Sequence, residues 1–167
     1  MSDKKAILVI GAGDATGGAI ARRFAREGYI ACVTRRQADK LQPLVDQIKA
    51  EGGQAHGFGS DARKEEEMVA LVQQIEREIA PIEVAVFNIG ANVRFPIRET
   101  TARVFSKVWE MACFSGFLSG REVAIRGTNE LTALEAYGDD HIVLPPEMRF
   151  FEEDAAKIGR ASCRERV

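Results

Sequence analysis

Three glycines and the residues between them form the part of the sequence best suited to hold a ligand. Gly11, Gly13 and Gly17 follow the apolar run from Ala6 to Ile10 and precede a segment with helical spacing. Glycine allows positive φ angles and lets backbone N–H groups approach a ligand without an intervening Cβ. A helix beginning directly after such a turn presents unpaired N–H donors and its positive dipole end. The turn predicted to bind pyrophosphate comprises Gly11, Gly13, Asp14, Ala15, Thr16 and Gly17.

The alternative is an ordinary strand-to-helix turn that binds nothing. Asp14 is the residue that argues for this alternative, because an acid near phosphate groups repels them. That objection disappears if Asp14 points outward or caps the helix. The order of strand, glycine turn and helix favours the phosphate-binding interpretation, since glycine spacing without that context is weak evidence.

Two arginines follow the next apolar run, Tyr29 to Thr34. In a dinucleotide-binding fold this strand end meets the adenosine ribose, where an acid accepts the 2′-OH and an arginine accommodates a 2′-phosphate. Arg35 and Arg36 stand there without a neighbouring acid, so the sequence favours NADP(H) over NAD(H). The alternative is a pair of solvated arginines at a strand end.

Polar residues also follow two further strand candidates. Asp61 comes after Gln54–Gly59, where its carboxylate could bond adenine or cap the next helix. Asn88, Ile89 and Gly90 end the run that starts at Val84. The carboxyl ends of parallel strands meet at one edge of a sheet, and ligands bind in the crevice there. We therefore predict that these residues, the glycine turn and the arginines share one nucleotide site.

The elements that position these residues alternate between strand and helix. Apolar positions recur at helical spacing from Thr16, over Ala38–Glu51 and over Glu65–Ala80. Such alternation implies right-handed crossovers and a parallel sheet with helices on both faces. The predicted fold class is α/β, a Rossmann-like doubly wound sheet truncated after about the fourth strand and the long helix that follows it.

That long helix is predicted over Thr101–Arg126. Its segment from Met111 to Leu118 is apolar nearly all round. Such a helix must be buried on more than one side, so we expect it to pack against the sheet and against another subunit.

Composition excludes several classes of partner for this chain of 167 residues. A formal net charge of −2 gives no basic footprint for nucleic acid or an anionic membrane. The sequence has no signal-peptide-like leader and no apolar run long enough to span a bilayer, which predicts a cytoplasmic protein. Cys32, Cys113 and Cys163 lie far apart, so neither a metal site nor a disulfide framework is expected.

From Lys5 to about Arg126 the chain resembles the short-chain dehydrogenase/reductase family. The glycine turn matches the family's, with Ala15 where the middle glycine is usual, and Phe87–Gly90 resembles the turn after its fourth strand. The resemblance implies hydride transfer between NADP(H) and a small carbonyl or alcohol substrate, with Asp61 on the adenine side. Arg35 stands where NAD-preferring members carry their ribose-binding acid. It also implies a homo-oligomer of the full-length relatives through helix 101–126.

The catalytic pattern of that family is absent from the sequence. Its Tyr-x-x-x-Lys motif has no match, because Tyr29 is followed four residues later by Val33 and Tyr137 by His141. Cys113 stands where the family often has asparagine on the long helix. No catalytic residue is identifiable, so the chain as written is predicted to be inactive.

Three segments are predicted. Residues 1–126 form a dinucleotide-binding half-domain, and residues 127–157 are unassigned and hypothesised to be chimeric. Residues 158–167 back-translate into a common short-read sequencing adapter, which predicts an artefact. Two rival functions remain: a catalytically silent NADP-binding module, and a non-functional truncated fragment.

Overall fold

The computed structural model describes residues 4–90 and 96–126. Strands and helices alternate along the chain as the sequence predicts, and each begins and ends within a few residues of its predicted bounds. They are β1 Ala6–Ile10, α1 Thr16–Arg26, β2 Ile30–Arg35, α2 Gln42–Ala50, β3 Gln54–Gly59, α3 Glu65–Glu78, β4 Ile82–Phe87, α4 Ala102–Trp109 and α5 Ser115–Arg126. The predictions for Tyr137, His141 and residues 127–167 lie outside the described residues.

The four strands form one parallel sheet in the order β3-β2-β1-β4. β1 lies between β2 and β4, with Leu8 in register with Cys32 on one side and Ala85 on the other. All five residues of β1 are buried, which explains why this strand has no polar side chain. The predicted parallel Rossmann-like sheet is confirmed.

Side chains of β1 alternate between two hydrophobic cores, as the period of a strand requires. Leu8 packs in a core with Met68 and Ile75 of α3, whereas Val9 packs in a core with Leu44 of α2. Helices thus cover both faces of the sheet. α1 and α2 lie on one face, and α3 and α5 lie on the other.

Glycines end the two helices on the α1 and α2 face. Gly28 follows α1 with φ +91°, and Gly52 follows α2 with φ +86°. These left-handed conformations are ones that L side chains rarely adopt, and they turn the chain back toward the next strand. A short 3₁₀ turn over Ala38–Leu41 replaces the first part of the helix predicted from Ala38.

The long helix differs from its prediction in one respect. Instead of one continuous α-helix, α4 and α5 are joined by a π-helical turn over Glu110–Phe114. The Thr101 hydroxyl caps α4 by accepting a hydrogen bond from the Val104 N–H at 3.3 Å. None of the helices within the described ranges combines the length and the apolar composition needed to cross a bilayer.

Within the described residues, the buried side chains of this long element all belong to α5, and α4 and the π-helical turn have none. Leu118 and Val123 pack toward the protein, while Trp109 is 47% exposed and Phe117 57% exposed. Burial against the sheet is therefore observed for α5, and burial of the element by another subunit stays a prediction.

Candidate functional site

The glycine turn is held from both sides by neighbouring strands. Gly11 takes φ +89° directly after β1, and its N–H and that of Ala12 both donate to the Thr34 carbonyl at 2.9 Å. The Asn88 N–H donates to the Ile10 carbonyl at 2.8 Å. Because β2 and β4 flank β1, these bonds fix the path of the turn at the carboxyl edge of the sheet.

The Asn88 side chain fixes the same turn. Its Nδ2 donates to the Gly11 carbonyl at 3.0 Å. A Cβ on Gly17 would lie 2.8 Å from that nitrogen, and a Cβ on Gly11 would lie 2.9 Å from the Asn88 carbonyl oxygen. Gly11 and Gly17 are therefore required by close packing, and the Asn88 amide supports the turn, a role that sequence reasoning missed.

The outer side of the turn is open. A Cβ on Gly13 or Gly90 would meet no other atom of the described chain within 4 Å. Ala15 is the N-cap residue of α1, no side chain caps this helix, and no acid lies in its first turn. The first-turn N–H groups of a helix have no intrahelical acceptor, and the N-cap residue of α1 makes no side-chain bond to them. Such a helix N-terminus favours an anion. Asp14 is exposed and does not cap the helix.

Two positive charges lie beside this turn. Arg35 is the half-buried last residue of β2, in register with Gly59, and Arg36 follows it at an exposed position. The Ser60 N–H donates to the Arg35 carbonyl at 3.1 Å, which joins the ends of β2 and β3. Neither arginine forms an ion pair with any residue of the described ranges.

Asp61, after β3, does not cap the next helix. α3 has Lys64 as its N-cap residue and no side-chain cap bond. The Asp61 carboxylate instead accepts hydrogen bonds from Arg63, at 2.9 Å from Nε to Oδ1 and also from Nη2 to Oδ2. The bonds from Arg63 lower the pKa of Asp61 to about 2, and the charge of Arg36 contributes to that lowering. Asp61 is thus an ionised acceptor next to the arginines.

Sequence reasoning missed Arg63. The available signal was an arginine two residues after an acid at a strand end, a spacing at which the two side chains can meet. Many such pairs are solvated, and only the folded geometry shows this one to be a forked contact.

Tyr29 and Cys113 carry titratable side chains and stand at different places in the fold. Tyr29 is at the amino end of β2, opposite the site, and its hydroxyl donates to Glu83 at 3.3 Å. Burial raises the pKa of Tyr29, and the neighbouring Glu83 raises it further. Cys113 is a half-buried thiol in the π-helical turn. Tyr29 is therefore placed away from the carboxyl ends of the strands, where Arg35, Arg36 and Asp61 lie.

Known proteins are similar to this chain in sequence and fold. A model of the short chain dehydrogenase family matches residues 5–126. The crystal structure of a short-chain dehydrogenase from Rhodopseudomonas palustris is 52% identical with a TM-score of 0.69, covering 72% of this chain and 57% of that one. A structure of a variant actinorhodin polyketide ketoreductase with NADPH is 28% identical with a TM-score of 0.70, covering 73% and 47%. The 7alpha-hydroxysteroid dehydrogenase of Escherichia coli is 31% identical over 73% of this chain and 48% of the relative.

The chain spans about half the length of these relatives. The matched range contains the glycine turn, both arginines, Asp61 and the turn after β4.

Proposed function

The chain belongs to the short-chain dehydrogenase family, and on that basis we propose that it forms the NADP(H)-binding half of an oxidoreductase for carbonyl or alcohol substrates. The observation that carries this proposal is one sheet edge at which an uncapped helix N-terminus, an open glycine surface and two arginines meet. Each group is suited to one part of a phosphorylated dinucleotide.

The proposed roles follow the chemistry of each group. The turn from Gly11 to Gly17 holds the pyrophosphate, because N–H donors and the positive helix end favour an anion. Arg35 and Arg36 hold the 2′-phosphate, since guanidinium forks match phosphate oxygens, which supports NADP(H) over NAD(H). Asp61 accepts from adenine. Asn88, Ile89 and Gly90 line the path from adenosine toward nicotinamide.

A bound NADP(H) would supply or accept the hydride. The described residues bind and orient it, and the sequence has no Tyr-x-x-x-Lys motif to move a proton to the substrate. We therefore propose that the 167-residue chain binds cofactor without turning over.

The exposed side of α4 and α5 supports a further proposal, a homo-oligomer. Trp109 stacks on Phe114 with ring centroids 5.5 Å apart, and Phe114 lies 6.4 Å from the ring of Phe117. This continuous aromatic surface faces away from the core that holds Leu118 and Val123. Water contact with such a surface is unfavourable, so a second copy covering it would stabilise the pair.

Titration of the full chain with NADPH, followed by nicotinamide fluorescence, tests the cofactor proposal. Arg35→Asp should weaken NADPH binding about tenfold or more, because it replaces a phosphate partner with a repelling charge. Lys4→Asp makes the same charge change at an exposed position before β1, at the opposite edge of the sheet, and should leave the affinity unchanged. Equal affinities of wild type and Arg35→Asp would contradict the 2′-phosphate assignment.

The missing motif favours one second candidate, a silent module that responds to the NADP redox state. This candidate predicts cofactor binding with no hydride transfer to any carbonyl substrate. The other alternative, that the chain is a non-functional fragment, predicts neither NADPH binding nor protection from protease. The same titration, with a digestion time course in parallel, separates the two.

A further inference from the structure

Hydrogen bonds hold both the carboxylate and the backbone of Asp61 in place. Its Oδ1 accepts from the Arg63 N–H at 3.2 Å and from Arg63 Nε at 2.9 Å, while Oδ2 accepts from Arg63 Nη2. The backbone is fixed as well, because the Asp61 N–H donates to Glu67 Oε2 at 2.7 Å and the Asp61 carbonyl accepts from the Lys64 N–H at 2.9 Å. The Asp61 side chain is only 14% exposed.

A count of acceptor positions shows what remains for a ligand. An ionised carboxylate offers about four lone-pair positions, two on each oxygen. Three hydrogen bonds from Arg63 occupy both positions of Oδ1 and one of Oδ2, and no other described residue donates to the carboxylate. One acceptor position on Oδ2 therefore remains, on a carboxylate that the arginine fork holds in place.

This remaining acceptor lies beside the groups assigned to the cofactor. Arg36 is near enough to Asp61 to act on its charge, and Ser60 bonds the Arg35 carbonyl at 3.1 Å. The acceptor thus belongs to the same strand ends as the proposed 2′-phosphate site. A ligand group that satisfies it must be a hydrogen-bond donor, such as an exocyclic amine.

We propose that Arg63 is a positioning residue, which orients the Asp61 carboxylate so that Oδ2 selects the 6-amino group of adenine in the bound cofactor. This inference rests on the proposed function, because it assumes NADP(H) at this edge. It makes Arg63 responsible for base selectivity, whereas the arginines at the end of β2 are responsible for the 2′-phosphate.

The selectivity can be measured with an NADPH analogue in which hypoxanthine replaces adenine. Hypoxanthine has a carbonyl oxygen where adenine has the 6-amino group. This oxygen is a hydrogen-bond acceptor, and so is Asp61 Oδ2, so the two cannot bond. A site that accepts a hydrogen bond from the ligand binds such an analogue more weakly, because the acceptor of the site, here Asp61 Oδ2, is left unpaired. We expect wild type to bind the analogue about tenfold more weakly than NADPH.

The experiment titrates both ligands into the full chain and compares the ratio of their dissociation constants. Arg63→Gln should bring the ratio close to one, mainly by weakening NADPH. Arg63→Lys keeps the charge but loses the fork, and should give an intermediate ratio. Arg77→Gln removes an arginine from another acid pair, Arg77 with Glu78 on α3, and should keep the wild-type ratio. Both ligands titrate the same folded population, so partial unfolding of a variant does not change the ratio.

The outcomes separate the two levels of the proposal. Wild-type selectivity in both Arg63→Gln and Arg63→Lys overturns the positioning role while leaving NADPH binding intact. A wild type that binds NADPH without preferring it to the analogue overturns the role of Asp61 and of Arg63 together. A wild type that binds neither ligand overturns the proposed function itself, and this inference with it.

Discussion

Gly13 and Gly17 lie four residues apart in one turn, but their surroundings differ. A Cβ on Gly17 would lie 2.9 Å from the Gly11 carbonyl oxygen, whereas a Cβ on Gly13 would meet nothing within 4 Å. Gly13 also has no positive φ angle. Packing therefore requires glycine at position 17, whereas position 13 has room for a methyl group or a ligand.

This difference predicts opposite effects of the same substitution. Gly17→Ala should lower the free energy of unfolding by about 1–3 kcal/mol, because backbone atoms must shift to admit the methyl group. Gly13→Ala should change that free energy by less than about 0.5 kcal/mol. Its methyl group would nevertheless enter the space assigned to pyrophosphate, so NADPH should bind about tenfold more weakly.

Urea unfolding and NADPH titration of the two variants check this prediction. If Gly13→Ala bound NADPH as wild type does, the pyrophosphate would not lie against this face of the turn. An unchanged unfolding free energy in Gly17→Ala would contradict the packing argument.

At the scale of elements, α4, the π-helical turn and α5 share an exposed aromatic side, and the buried residues among their described positions all lie in α5. The buried side includes Ser115 and Ser119, whose hydroxyls donate to carbonyls four residues earlier, at Met111 and Ser115. The exposed side holds the aromatic residues, with the Arg121 guanidinium 5.4 Å from the centroid of the Phe117 ring. A charged residue at the centre of that aromatic side should oppose association.

Phe117→Glu is therefore expected to shift the protein toward the monomer in sedimentation velocity at micromolar concentration. Trp109, the single tryptophan of the sequence, gives a second measurement, because its emission should move to longer wavelength when the surface becomes wet. Gln47→Glu on α2 changes an exposed residue on the other face of the sheet and serves as the control. Identical sedimentation of wild type and Phe117→Glu across a range of concentrations would refute an interface on this side.

For the whole molecule, a cofactor that binds only the folded chain must raise its stability. A ligand at about 100 times its dissociation constant adds about 2.7 kcal/mol. For a chain of this size, that corresponds to an increase of roughly 5–10 °C in Tm. NADPH should give such an increase, and NADH at the same concentration should give less, because it lacks the 2′-phosphate assigned to Arg35 and Arg36.

Differential scanning fluorimetry checks the pair of ligands side by side. Equal shifts for NADPH and NADH would show that the 2′-phosphate is not recognised. If neither ligand changed the Tm, the alternative that the chain is a fragment without a cofactor site would be supported.

The sequence by itself determined the order of the strands and helices, although the π-helical turn after α4 and the 3₁₀ turn before α2 were not predicted. Buried parallel strands appear in a sequence as continuous apolar runs, amphipathic helices as apolar residues with a 3.6-residue period, and turns as glycines. β1, the turn after it and α1 can therefore be predicted from the local sequence. The parallel sheet followed from alternation, and the common edge for Arg35, Asp61 and Asn88 followed from the parallel sheet.

Only the tertiary structure decided which partner each polar side chain takes. Asn88 bonds Gly11, 77 residues earlier in the chain, and no local pattern contains that contact. Asp61 had two chemically reasonable roles, and packing around the end of β3 placed Arg63 within its reach instead of a helix N-terminus. A hydrogen bond depends on distance and direction in space, whereas a sequence pattern records only type and spacing along the chain. The order of elements is therefore readable in advance, and the choice among competing partners is made by the fold.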